Sequence, residues 1–378
     1  PGQILVTDAA RRSCAQSREL DWKAWRNRAL GEDGLLETLW ELLLEGVSRG
    51  EPGGGGREIL GLAWQAVGRG GWEEAHQGFR SALERLRRAA DRQGQALALN
   101  SLGAVLSRLE RPPEAEKAFQ EARNYAREVG DHELEALALQ NLGILHFRAG
   151  RLQEAETLLT SCRHLRERML ARRGLARCLR LEAMVRRRAG DLSGAAESLD
   201  SSLEASEEAQ EARELACGWW ARGLLDQDLG DQEAAETHLR KALEYAVAIE
   251  DRTVEARVLS NLGLLSHLQA QHARASRMHR SAQTILQEEG DSRALLRARV
   301  NAAASLLARG KTAETRKLLE ECFDLGRAAE DQEVVGVALA NLASLMDQGG
   351  DWAPAITVAR RAAQILGLAG REDLQARV

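Results

Sequence analysis

The chain has 378 residues, 44% of them hydrophobic but only 4% aromatic, and a formal net charge of -5 from 52 basic and 57 acidic side chains. That balance excludes a generally basic nucleic-acid footprint, and no run of roughly 18 or more apolar residues offers a membrane-spanning helix. The five cysteines, Cys14, Cys162, Cys178, Cys217 and Cys322, are too scattered for a disulfide framework and form no C-x-x-C pair, which points to a reducing, cytoplasmic setting.

Residues 1–12, PGQILVTDAARR, lack the apolar stretch of a secretory leader, and a chain opening on Pro1 is expected to be a fragment or a processed product. Ile4 to Val6 form a β-type run, TDAARR is helix-like, and RELDWKAWRNRAL and DGLLETLWELL are able to pair as strands. In that order, residues 1–44 resemble the C-terminal end of a class III nucleotidyl cyclase domain. There a strand like GQILVS leads into a helix, and a hairpin ends on a strand like LETLWEL. The resemblance implies that the two metal-binding Asp residues and the Asn/Arg helix of such a domain lie upstream of Pro1. No catalytic residue is then expected in this chain, although a longer protein would be a possible adenylate or guanylate cyclase. The other reading of the segment is an irregular cap. Residues 45–57, with Gly and Pro in GVSRGEPGGGGR, predict a flexible linker.

From there the sequence repeats every forty residues. A small residue recurs at Ala63, Gly103, Gly143, Ala183, Gly223, Gly263, Ala303 and Ala343. A second small slot follows at Ala75, Ala115, Ala155, Ala195, Ala235, Ala275, Thr315 and Ala355, and a third runs from Ala82 to Ala362 through Cys162 and Cys322. Gly recurs between the first two slots at Gly70, Gly150, Gly190, Gly230, Gly310 and Gly350, with Glu110 and Ala270 as exceptions. Apolar residues at helical spacing around 138–150, closed by a Gly, and again over 151–165, predict two antiparallel helices per unit. Asp91, Asp131, Asp251, Asp291 and Asp331 stand where an N-cap is needed. Small residues mark close crossings of helix axes, and a lone pair must stack on neighbours to bury its apolar face.

These slots, with NLG at 141–143 and 261–263, NAA at 301–303 and NLA at 341–343, resemble the tetratricopeptide repeat in a long-helix, forty-residue form over residues 57–370. Ser101, Leu181 and Ala221 depart from the Asn of that motif. The resemblance implies an all-α fold: a right-handed α-solenoid of about eight helix pairs over 58–370, preceded by a short α/β remnant, with 371–378 starting a further or capping helix. It also implies a protein-binding scaffold whose first helices line a concave groove, with no cofactor. A second possibility is the sensor arm of a cyclase signalling protein. A third is a peptide-sensing or transcription-regulating domain of a bacterial signalling protein.

Candidate contacts follow from the residues. Ten Arg lie between Arg163 and Arg188, with only Glu167 and Glu182 against them. By analogy with the fold, Arg177, Arg180, Arg187 and Arg188 face the groove, and Arg108 and Arg148 share the slot of Arg188. Guanidinium forks grip carboxylates, so an acidic protein or peptide segment is the expected partner, with neither nucleic acid nor membrane. The alternative is a solvated face. Trp64 and Trp220 are expected to face the groove as hot-spot aromatics, or simply to pack. Asn141, Asn261, Asn301 and Asn341 form a ladder suited to an extended peptide backbone or to bonds between helices. Arg186 and Asp226, in one slot of successive units, predict an internal ion pair. Cys162 and Cys322 read as small buried hydrophobes. His267, His272 and His279 lack metal-ligand spacing, so no metal is expected.

Overall fold

The computed structural model describes residues 54–68, 71–289, 292–328 and 331–368, which form sixteen α-helices and no strand. The chain divides into two compact units, one ending at Glu182 and the other starting at Ala183. Unit 1 holds α1 (Gly54–Gly68), α2 (Trp72–Arg88), α3 (Arg92–Arg108), α4 (Pro112–Glu128), α5 (His132–Arg148) and α6 (Leu152–Arg168). Helix α7 (Arg172–Ala189) carries the boundary. Unit 2 continues with α8 (Leu192–Glu208), α9 (Ala212–Asp228), α10 (Gln232–Ala248), α11 (Arg252–Leu268) and α12 (His272–Glu288). It ends with α13 (Ser292–Ala308), α14 (Thr312–Ala328), α15 (Gln332–Gln348) and α16 (Trp352–Leu368). The expectations for residues 1–44 and 371–378 lie outside the described residues. Helix α1 starts at Gly54, so the last residues of the expected linker are its first turn. Gly56 is buried there, and a Cβ on it would fall 2.7 Å from Cγ of Leu86.

Each unit is a solenoid of helices packed on their sequence neighbours, and the small slot sets the crossing. A Cβ on Gly103 would lie 2.6 Å from the Phe119 ring, one on Gly143 2.8 Å from Leu159, and one on Gly223 2.7 Å from Leu239. The second-helix partners Phe119, Leu159 and Leu239 are themselves at most 2% exposed. Among the described residues, helices end by one device. The residue after the last turn takes the left-handed conformation, as at Gly150 (φ 77°) and Gly230 (φ 82°), and also at the two exceptions, Glu110 (φ 58°) and Ala270 (φ 59°). Its own N–H and the next fold back on the final turn, with Ala270 N donating to His267 O at 3.0 Å and Gln271 N to Ser266 O at 2.8 Å.

Six helix starts share one Asp cap. Asp91, Asp131, Asp251 and Asp331 each accept the backbone N–H three residues on, at 2.8–3.2 Å. Asp191 and Asp231 do the same at second helices. The first-helix caps also tie successive pairs together. Gln93 Nε2 donates to Asp131 Oδ2 at 2.9 Å, and Arg213 Nε donates to Asp251 Oδ2 at 2.8 Å from the same place 120 residues later. Arg213 and Asp251 are buried, so this carboxylate both caps α11 and holds α9 in register with it.

Two substitutions test this account in opposite directions. Gly143→Leu forces α5 away from Leu159 and is expected to cost about 1–3 kcal/mol, seen as a lower Tm. Ala270→Gly relieves a left-handed L-residue and is expected to gain about 1 kcal/mol. Equal or inverted Tm shifts would contradict the assignment.

Candidate functional site

The first-helix residues singled out in unit 1 are mostly interior. Trp64 is fully buried and meets Phe79 edge-on, with ring centroids 5.3 Å apart, so it is a core residue and not a surface anchor. Asn141 is 2% exposed and donates through Nδ2 to Oδ1 of Asn100 at 2.7 Å, an amide pair that joins α5 to α3. Arg108 lies over the Trp72 ring at 5.1 Å, which covers one face of that cation. Arg148 is exposed.

The basic stretch departs most from its expected role. Arg177 and Arg180 are 4% and 1% exposed, so neither presents a guanidinium to a partner. Their neighbourhood holds its own carboxylates. Arg163 bonds Glu182, itself 1% exposed, at 3.2 Å and Glu167 at 2.7 Å. Arg166 bonds Glu133 and lies flat over Gly174, where any side chain would collide with it. Burial holds the Arg166 guanidinium below its ordinary range; Glu133 pulls the other way, while nearby Arg177 and Arg173 add to the lowering. The cluster is therefore largely an internal lattice. Arginine stems fill the space between helices while the forks meet acidic side chains.

In unit 2, Arg187 bonds Asp228 at 2.7 Å and Arg188 is half-buried. Arg186 donates to Gly194 O and Ser198 Oγ, whereas Asp226 takes His238 Nδ1 at 2.6 Å and Arg222 Nε at 3.5 Å. The expected Arg186–Asp226 pair is thus replaced by local partners, each closer along the chain. Trp219 stacks on His238 with centroids 5.1 Å apart and carries Lys241 Nζ 3.6 Å above its ring. Trp220 is half-buried against the α9–α11 core.

The three remaining Asn residues are placed differently from Asn141. Asn261, Asn301 and Asn341 are half-buried on α11, α13 and α15, successive first helices of unit 2. Asn261 Nδ2 donates to Arg257 O of its own helix at 3.0 Å, and Asn341 Nδ2 reaches Val300 O on α13 at 3.3 Å. Each bond uses the amide N–H side. Leu264 and Ala304, three residues beyond Asn261 and Asn301, are half-buried, and Ser344 beyond Asn341 is exposed; residues so spaced share a helix face. Asn341 also lines an open cleft of about 430 Å³ with Val337, Ser344 and Asp347 of α15 and Ile356 of α16.

Cys322 is buried as expected, and burial pushes its thiol up to about 11. Cys162 is also buried, but it is not solitary. The packing of α6 on α7 sets it against Cys178, with Cα atoms 6.7 Å apart, a proximity that the scattered spacing of the cysteines does not reveal. Among the described residues, no group of three or more His, Cys, Asp or Glu is arranged to hold a metal ion, and no helix is long and apolar enough to cross a membrane.

A tetratricopeptide repeat model matches residues 60–128 and 94–168, and a model of anaphase-promoting complex subunit 5 matches residues 278–349. Residues 60–168 therefore carry tetratricopeptide repeats. Among curated proteins nothing matches. Solved structures share the fold at low identity. A Rap protein complexed with competence and sporulation factor has a TM-score of 0.67 at 14% identity, over 97% of this chain and 100% of its own. The apo quorum sensor NprR from B. thuringiensis has 0.60 at 14%, over 92% and 99%. The Rap conjugation gene regulator of plasmid pLS20, in complex with the Phr* peptide, has 0.59 at 11%, over 90% and 96%.

A mutational contrast separates interior from surface cations. Arg180→Ala is expected to destabilise the chain by about 2–4 kcal/mol, while Arg148→Ala stays within about 0.5 kcal/mol. Chemical denaturation of both variants reads the difference, and equal midpoints would refute the burial assignment.

Proposed function

We propose that unit 2 holds an extended peptide segment, free or part of a partner protein, across the first helices α11, α13 and α15. The observation that carries this reading is the ladder of Asn261, Asn301 and Asn341. Three amides recur at one position of three successive first helices, and all are half-buried where Asn141 is sealed in. A side-chain amide offers a donor and an acceptor, the complement of a peptide group. Adjacent helices of one layer lie about 10 Å apart, and an extended chain rises about 3.3 Å per residue. One amide then meets roughly every third residue, and the ladder spans about seven residues of ligand. Leu264 and Ala304 supply apolar contact beside the amides, and Ser344 and Asp347 add polar groups at the last rung.

The fold neighbours support the same reading. Two of them are described in complex with a factor or a peptide, and a third as a quorum sensor. The acidic character first expected of the ligand loses its main support, because Arg177 and Arg180 are interior and Arg187 already meets Asp228.

The test is a fluorescence-polarisation screen of a library of synthetic seven- to ten-residue peptides against the full chain. Peptides that bind are expected to weaken about tenfold or more in the Asn261→Ala/Asn301→Ala/Asn341→Ala variant, with circular dichroism unchanged. Binding that survives the triple substitution would refute the ladder as the contact surface, and a library without a single binder would refute the peptide reading.

A further inference from the structure

The α11–α12 pair breaks a packing rule that its neighbours keep. One second-helix slot holds Phe79, Phe119, Leu159, Leu199, Leu239 and Leu319, all at most 2% exposed. In α12 that slot holds His279, which is 1% exposed. The imidazole sits directly over the small slot of α11, where a Cβ on Gly263 would fall 2.8 Å from its Cε1 and 2.9 Å from its Nδ1. Both ring nitrogens are buried with no hydrogen-bond partner among the described residues. Buried polar atoms are nearly always satisfied, so an orphaned ring at the centre of a helix pair calls for a reason.

Two further imidazoles stand at the turn of the same pair. His267 near the end of α11 and His272 at the start of α12 have ring centroids 5.1 Å apart, and the Nδ1 of each is buried without a hydrogen bond. The charged groups on the surrounding elements are engaged elsewhere or belong to like charges. Glu236 of α10 takes Arg274 and Gln269, and His238 of α10 takes Asp226 of α9, with Arg222 also on that carboxylate. Asp228 of α9 takes Arg187. At the far end of the pair, Arg252 of α11 bonds Glu255 and Glu288. Arg297 of α13 meets Asp331 and Glu333. Arg257 and Arg299 are half-buried cations, and Arg277 and Arg280 point to solvent on α12. No ion pair links a carboxylate to His267, His272 or His279 among the described residues.

We propose that His279 and His267 form an acid-sensitive joint, with His272 beside it: neutral, the His279 and His267 rings pack α11 on α12 as apolar rings do, and on acidification those two take up protons only as the two helices part. Burial, and then the charge of His267, hold His279 down to about 4, while burial, and then His272, lower His267. Because the folded values lie below the ordinary histidine range, the parted state binds protons more readily. The contribution of the joint is complete above that range and is lost as pH falls through it towards 4. Nothing in this joint depends on the peptide reading. If that reading holds, parting α11 also displaces Asn261, so acid would release the ligand.

The experiment is hydrogen exchange by mass spectrometry on the full chain at about pH 7.5 and pH 5, corrected for intrinsic rates, together with Tm at both values. In the unaltered protein, segments within 252–288 are expected to gain about tenfold or more in exchange at the lower pH, while 312–328 keeps its protection. His279→Leu, which installs the residue used in four other pairs, is expected to remove that gain and to raise Tm at the lower pH. His279→Phe, the residue of the first two pairs, serves as an independent replacement. Uniform exchange across unit 2 in the unaltered protein, or the same local gain in both replacements, would overturn the proposal.

Discussion

The structure depends on one steric condition. The two helices of a pair cross where one of them has almost no side chain, and a Phe or Leu of the other fills the space. Gly103 against Phe119, Gly143 against Leu159 and Gly223 against Leu239 are three instances of the same contact. Everything else is fixed relative to that crossing: which residues face the next pair, where the turn falls, and which positions are left on the first-helix face. A packed interior tolerates little change of volume at such a point. This is why the slot admits only Gly or Ala in all eight repeats.

Buried charge also acts between repeats. Arg213 with Asp251 and Arg163 with Glu182 are ion pairs with at least one partner buried, and each joins elements of different repeats, while Arg166 with Glu133 ties α6 to α5 within one pair. Pairs of this kind add little net stability, because desolvation offsets attraction, yet a wrong register would strand a charge inside. Tandem units of similar sequence face that hazard acutely, since any helix has several near-equivalent neighbours to dock against. Electrostatics here select among packings that the apolar core alone would leave close in energy.

The sequence made the periodic features legible and left most of the site obscure. Helix number, turn positions and the Asp caps follow from spacing alone, because each answers to a local backbone need that recurs every forty residues. The left-handed conformation at Glu110 and Ala270 follows from the same logic even where Gly is missing. Exposure does not follow. Arg177 and Arg180 look like surface residues by type, and only the surrounding packing shows that they are interior. The Cys162–Cys178 and His267–His272 contacts join residues sixteen and five apart across helix boundaries, where neither residue alone carries a signal. His279 was the exception that could have been found, as the single polar residue in a column otherwise of Phe and Leu, with Ala359 at its end. Asn141 and Asn261 share one motif in the sequence, yet one is sealed against Asn100 and the other remains at the face.

The uniform helix length has a consequence for how such a chain can change. From α2 onward nearly every helix has seventeen residues and is followed by the same short closure. One residue added inside a helix would rotate all that follows by about 100°, turning the small slot away from its partner and the cap away from its neighbour. Growth or loss of length is therefore confined to whole pairs, which bring both faces of the next junction with them. A molecule built this way can be lengthened as a ruler is, by complete divisions, while its markings stay aligned.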